Sequence, residues 1–262
     1  MKKNISIILL LVITLGIGLI IGSYLTKPAL NNDKDNNGGE SSITLNTPIK
    51  NKEVEEIFKI IKNEAWYPNY MEKNIDEITD DILLSIVARS LNKDVVITNN
   101  MYETIKNKNG EDCAQLYEGT YYVDESSDVI ISKTNEIFNK KITKNKLIAD
   151  NLRYGVCTSY VYNSYIDKFI QCGHCGGGMP VFEEVVYNYE ELDSEINVYT
   201  AVAKTDYDYV KDGWAYFDKY NNTYEFNDFK ITKENYNNFT HLKYTFKQYE
   251  NGNYYIFSIE EV

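Results

Sequence analysis

The sequence predicts an α+β domain held on an N-terminal membrane segment, with helices packed on an antiparallel β-meander. Three patterns predict it. Residues 5 to 25 form an uncharged, mostly apolar run behind Lys2 and Lys3. Beyond the run, apolar residues recur at helical spacing through the first half of the remaining chain, and from Tyr154 onward their period changes to two.

The run ISIILLLVITLGIGLIIGSYL has the length that a helix needs to cross the hydrocarbon core, about 20 apolar residues. It ends without the small-residue exit of a cleaved signal peptide, and no Cys lies near its end to accept a lipid. We read it as an uncleaved signal anchor, with cleaved export as the second reading. Lys2 and Lys3 place residues 1–4 in the cytoplasm, so the chain crosses the cell membrane once and leaves its C-terminal domain outside. Residues 26–48, rich in Asn, Asp, Gly and Ser, read as a flexible linker. Within it Asp33, Asp35, Asn37 and Gly38 match the start of an EF-hand loop. Thr44 stands where the bidentate Glu is needed, so no calcium site is expected. Residues 49–262 form the extracytoplasmic α+β domain.

Helices come first in that domain. Val54, Ile57, Phe58 and Ile61 make one apolar stripe. Asn74 with Glu77 reads as a capping pair, with Ile75, Ile78, Ile82 and Ile86 as the stripe behind it. A third helix is expected over Asp128 to Lys140, burying Ile130, Ile137 and Phe138. The strands come next. VFEEVVYNYEEL and INVYTAVAK flank Asp193-Ser194, and Asn221-Asn222 turns WAYFDKY into TYEFNDF. Leu242, Tyr244 and Phe246 alternate with His241, Lys243, Thr245 and Lys247, which predicts one dry and one wet face. Asn251-Gly252 then turns the chain into a last strand whose dry face is expected to hold Tyr255, Phe257 and Ile259.

Composition removes several function classes. The net charge of −12 leaves no basic stripe to neutralise phosphates, so nucleic acid is not an expected partner. Anionic lipid headgroups and wall polymers are disfavoured for the same reason. Gly-x-Gly-x-x-Gly and βαβ alternation are absent, so no nucleotide cofactor is expected, nor any other cofactor. The expected partners are the membrane, through residues 5–25, and an envelope protein or small ligand bound by the outer domain. Heavy use of Lys, Asn, Ile and Tyr, with Arg only at Arg89 and Arg153, follows an AT-rich genome and carries no chemistry. A stalk, a helical half and a glycine-rich loop (Gly176, Gly177, Gly178) leading into a strand at Val181 resemble the layout of uncharacterised membrane-anchored proteins of low-GC Gram-positive bacteria. That resemblance implies no catalytic residues.

The chemistry on offer centres on Cys172-Gly173-His174-Cys175. The tetrad resembles the active site of protein disulfide isomerase, where a helix N-terminus and an imidazole stabilise a thiolate. Here Gln171 replaces the usual preceding Trp, and the GGGMP after the tetrad opposes a helix. A zinc knuckle is the second reading: Cys172 and Cys175 supply two thiolates, with Cys113 and Cys157 as candidates for the others. The third, which the residues favour, is structural. Outside a membrane four cysteines invite two bridges, Cys172 with Cys175 and Cys113 with Cys157, or they stay as thiols. Connectivity does not follow from sequence.

GVCTSY, residues 155 to 160, resembles the nucleophile segment of transglutaminase-like cysteine enzymes. That resemblance implies a His on a following strand as base, and the strands INVYTAVAK and GWAYFDKY carry none. Only His174 and His241 are available to Cys157. No His-Glu-x-x-His is present, and Glu183-Glu184 and Glu190-Glu191 read as solvated strand edges.

Overall fold

The computed structural model describes residues 43–62, 75–91, 94–105, 121–149, 159–172 and 182–262. They form an α+β domain with antiparallel sheets. The proposed anchor and most of the linker lie outside these residues. Among the described residues no helix is long and apolar enough to cross a membrane. Ile43 and Leu45, within the stretch read as linker, join an apolar cluster, and the Thr47 N–H bonds the Val186 carbonyl at 3.0 Å.

Among the described residues there are five α-helices. Helix α1 (Lys52–Ile61) is capped by Asn51, whose Oδ1 accepts from the Val54 N–H at 3.1 Å. It buries Val54, Ile57, Phe58 and Ile61, the stripe that sequence spacing predicts. The next helix starts later than expected. Ile75–Glu77 is a 3-10 turn, and α2 (Asp80–Ser90) begins after Thr79, whose extended backbone separates the two. Asn74 lies outside the described residues. Ile75, Ile78 and Ile86 are still buried, joined by Leu83, Leu84, Val87 and Ala88, so α2 is apolar around most of its girth and runs through the interior. Helix α3 spans Asn99–Ile105. Helix α4 (Ser127–Phe138) is capped by Ser126, which accepts from the Val129 N–H, and ends at Asn139 in the left-handed conformation (φ 51°). It buries Ile130, Ile137 and Phe138 as predicted. Helix α5 (Lys144–Ala149) is short.

The strands form two sheets, where the sequence predicts one meander. Strands β1 (Asp94–Val96) and β2 (Tyr121–Val123) lie among the helices and pair with β3 (Ser159–Asn163) and β4 (Lys168–Cys172) in the order β1-β2-β4-β3. Three-residue strands carry too little alternation to stand out from a helical stretch, which is why the spacing does not announce them. Ile105 of α3 packs with Ile97, which precedes the helix, and with Val161 and Ile170 of this sheet in one apolar cluster.

The second sheet is built on β6 (Glu195–Asp208). One edge of β6 pairs with β5 (Phe182–Glu191). Its other edge pairs first with β9 (Thr240–Gln248) and then with β7 (Gly213–Phe217), which carries β8 (Thr223–Glu225). Lys204 faces both Phe182 and Phe217, which puts β5 and β7 on opposite edges. Strand β10 (Tyr254–Glu261) closes the sheet beside β9. The predicted turns are present. Leu192 bonds back to Glu195 around Asp193-Ser194, Asn221 takes φ 63° and Gly252 φ 94°.

Register decides what is buried. Leu242, Tyr244 and Phe246 are fully buried against α1, α2 and α4, with Ile196 and Val198 beside them. Two expectations are corrected. Ile256 pairs with Phe246 and Ser258 with Thr245, so Phe257 is the extra residue of a β-bulge. The phase changes at the bulge: Tyr254 and Ile256 are buried before it and Ile259, as expected, after it, while Phe257 is 42% exposed. The far face of β9 is only partly wet. Thr245 is buried and donates to Asn197 Oδ1 at 3.0 Å. His241 lies between Tyr236 and Tyr187, and Phe239, Ile231, Ala201 and Ala203 make a second core there.

Candidate functional site

The sequence candidates fall mainly outside the described residues: Cys113, Cys157, His174 and Cys175 all do. Cys172 is described only in its backbone, as the last residue of β4, paired with Ser159 at the start of β3. That register makes the chain entering β3 and the chain leaving β4 depart from the same end of the sheet. Among the described residues no group of three His, Cys, Asp or Glu is placed to hold a metal ion. His241 is far in sequence from the tetrad and is occupied on the second face, its Nε2 3.0 Å from the Tyr236 carbonyl oxygen.

The described residues do form a cleft. Helices α1 and α4 both pack on β10, and between them lies an open space of about 420 Å³. Each helix contributes one stripe at helical spacing: Glu53, Glu56, Ile57 and Ile60 from α1, and Val129, Ser132, Lys133, Glu136 and Ile137 from α4. Tyr254 of β10 also lines it. Apolar and polar side chains share the walls, and the rim is charged, with Glu53, Glu56 and Glu136 against Lys133. Glu53 is fixed in place, accepting the Tyr254 N–H at 3.0 Å. Burial raises the Tyr254 phenol above its ordinary value, and the carboxylates of Glu191 and Glu53 raise it further. Tyr249, whose hydroxyl donates to the Glu136 carbonyl at 2.9 Å, is pushed up to about 12 by burial, then by Tyr255 and Glu136. Sequence spacing finds the buried stripes of α1 and α4 and misses this cleft. Its signal lies in Val129 and Ile60, apolar residues one step beyond each stripe.

Two polar arrangements lie away from the cleft. Glu184 is buried, which corrects its reading as a solvated edge residue, and Tyr244 donates its hydroxyl to Glu184 Oε1 at 2.9 Å. The register pairs Glu184 with Val202, and that pairing turns its side chain to the helix-covered face. Asp167, at φ 52° in the β3–β4 turn, accepts from Ser127 Oγ at 2.6 Å, Tyr162 Oη at 2.8 Å and Lys144 Nζ at 2.9 Å. Lys144 also reaches its second oxygen at 3.2 Å. These bonds clasp α4, α5 and the four-stranded sheet together, so both carboxylate oxygens serve the fold.

An aromatic tip protrudes at the β6–β7 turn. Tyr209 and Val210 are almost fully exposed there, beside Tyr207 and Trp214. Asp208 Oδ1 shapes the turn by accepting from the Val210 and Lys211 N–H groups. Of these features the cleft alone joins a concave apolar surface to convergent charge, the usual marks of a binding site. No family model, no curated protein and no solved structure matches the chain.

Proposed function

We propose that this chain is a single-pass envelope protein whose outer α+β domain binds a partner or ligand through the α1–α4 cleft. The cleft is the observation that carries the reading. Val129 and Ile60 stand open to water in it, and a ligand that covers them removes the cost of that exposure. The membrane part rests on the run at residues 5 to 25 behind Lys2 and Lys3.

Two experiments test it. Protease added to intact protoplasts should digest the tract after Leu25, and full protection overturns the outside placement. Ser132→p-benzoylphenylalanine puts a photo-crosslinker in the cleft, and the same substitution at Glu225 puts one on β8. Crosslinking in native membranes from Ser132 alone, lost on Val129→Asp, is the expected result. Equal crosslinking from both positions overturns the cleft assignment.

A second reading is thiol-disulfide exchange or a zinc-dependent activity centred on Cys172, Gly173, His174 and Cys175. The observation favouring it is the pairing of Cys172 with Ser159, two residues after Cys157 in sequence, at the end of the four-stranded sheet. It requires Cys172 to alkylate rapidly near pH 6, well below the ordinary thiol value of about 8.5, or zinc that survives dialysis in stoichiometric amount. Slow alkylation and no retained zinc leave the cysteines structural.

A further inference from the structure

We propose that the occupant of the cleft is a cationic amphipathic helix of a partner protein, laid on β10 between α1 and α4. The inference rests on the binding reading above and names the chemistry of what binds.

Shape comes first. A space of about 420 Å³ is too small for a whole helix and suits one ridge of side chains at i, i+3 and i+4. Ile60 on one side and Val129 on the other present apolar surface to such a ridge, over the buried Ile57 and Ile137 at its floor. Val129 is 44% exposed in the free chain, although the helix face behind it is buried.

Charge selects the class. Glu53 sits in the first turn of α1, where the helix dipole favours an anion, so helix stability alone explains it. Glu136 sits in the last turn of α4, where the dipole disfavours an anion, and it is exposed at the rim. Glu56 lies on the α1 side of the same rim. A cationic ligand compensates both. Lys and Arg stems cover apolar wall while their heads reach the carboxylates. The overall charge of −12 draws a basic partner and repels an acidic helix or an anionic lipid surface. Lys133, on the α4 side, gives one position where an acidic residue of the partner fixes its direction.

The test uses the full chain in detergent micelles and a fluorescent Leu-Lys amphipathic peptide of about 18 residues, or five helical turns. Two further peptides serve as comparisons: a scrambled Leu-Lys sequence and a Leu-Glu helix. The amphipathic Leu-Lys helix should bind most tightly. Glu56→Lys with Glu136→Lys should weaken it at least about tenfold and flatten its salt dependence. Glu56→Gln with Glu136→Gln should fall between, and Val129→Asp should also weaken it. Glu225→Lys with Asp228→Lys, on the far strand and turn, should change little. Equal weakening by the far reversal, equal binding of the scrambled peptide, or tighter binding of Leu-Glu each overturns the proposal. So does a chain that sediments as a dimer and becomes monomeric on Val129→Asp, since a second copy is then the occupant. A cleft-dependent crosslink from Ser132 without Leu-Lys binding overturns the cationic class and leaves the binding reading standing. Absence of both overturns the two together.

Discussion

Lys247 holds its Nζ 3.2 Å from the centroid of the Phe257 ring, on the exposed side of the β9–β10 pair. The bulge at Phe257 makes this contact: Ile256 and Ser258 face adjacent residues of β9, and the extra residue turns out over Lys247. A residue that alternation assigns to the core is therefore a surface aromatic under a cation. Exposed contacts of this kind contribute about 0.5–1 kcal/mol. Phe257→Ala should cost little more than that, and a double-mutant cycle with Lys247→Ala should return a coupling of the same size. Phe246→Ala, which empties a fully buried site, should cost about 3–5 kcal/mol. Urea midpoints of these variants and the parent chain decide it. Equal losses from Phe246 and Phe257 would mean that the bulge is misplaced.

That bulge marks the limit of what the pattern can say. A period of two predicts Leu242, Tyr244 and Phe246 inside because nothing interrupts it, and all three are buried. One inserted residue reverses the phase beyond it, and no residue type at Ile256-Phe257-Ser258 signals the insertion. Long helices are equally legible, since Val54 to Ile61 and Ile130 to Phe138 repeat for several turns. The start of α2 is not, because Ile75 and Ile78 belong to a 3-10 turn and its exit, whose apolar residues happen to continue the helical stripe. The second sheet face reads as wet from His241, Lys243 and Thr245 alone. It is covered by residues near Ile231 to Phe239 and by Ile43 and Leu45, the latter pair distant in sequence. The cleft is illegible for the same reason: it exists only where two helices separated by 65 residues meet one strand.

Glu184 and Tyr244 give a second prediction. Both are buried, and the tyrosine hydroxyl reaches the carboxylate at 2.9 Å. Tyr244→Phe keeps the ring, including its edge-on contact with Phe58, and removes only the donor. Removing one partner of a buried hydrogen bond leaves the other unsatisfied, at about 1–3 kcal/mol, so a loss in that range is expected. Adding Glu184→Gln to Tyr244→Phe should restore part of it, because no carboxyl is then left buried without its donor. Thermal or urea unfolding measures both. No recovery in the double variant would mean that the carboxylate draws its stability from elsewhere.

Helix α4 carries one wall of the cleft, and its N-cap gives a third prediction. Ser126 Oγ accepts from the Val129 N–H, at the residue that opens the wall. Ser126→Ala should cost about 1 kcal/mol, and Ser126→Asp should retain stability, since a carboxylate also caps and complements the dipole. If Val129 is positioned through this turn, Ser126→Ala should also weaken binding of the Leu-Lys peptide more than Ser126→Asp does. Equal affinity for the two variants would separate the cap from the cleft.

The clasp at Asp167 predicts how stability depends on pH. The Ser127 hydroxyl and then the Lys144 ammonium hold its carboxyl at about 2, against an ordinary 3.8. A carboxyl depressed by folding adds stability that is complete above its unfolded value and fades as pH falls through the folded one. The contribution is therefore present above about pH 4 and gone near pH 2. At the alkaline end the sign reverses. Hydrogen bonds from Lys144 to Asp167 and Asp128 raise its ammonium to about 12, and burial followed by the Asp167 bond raises the Tyr162 phenol to about 12. Groups raised by folding stabilise fully below their unfolded values and lose that effect as pH climbs through the folded ones. Asp167→Asn should therefore lower the urea midpoint throughout the neutral range. The difference from the parent chain should shrink below about pH 4 and again above about pH 10. Because the side chains are partly solvated, salt should also reduce it. A difference that stays constant from acid to alkali would mean that Asp167 acts through the turn it forms at φ 52° and not through its charge.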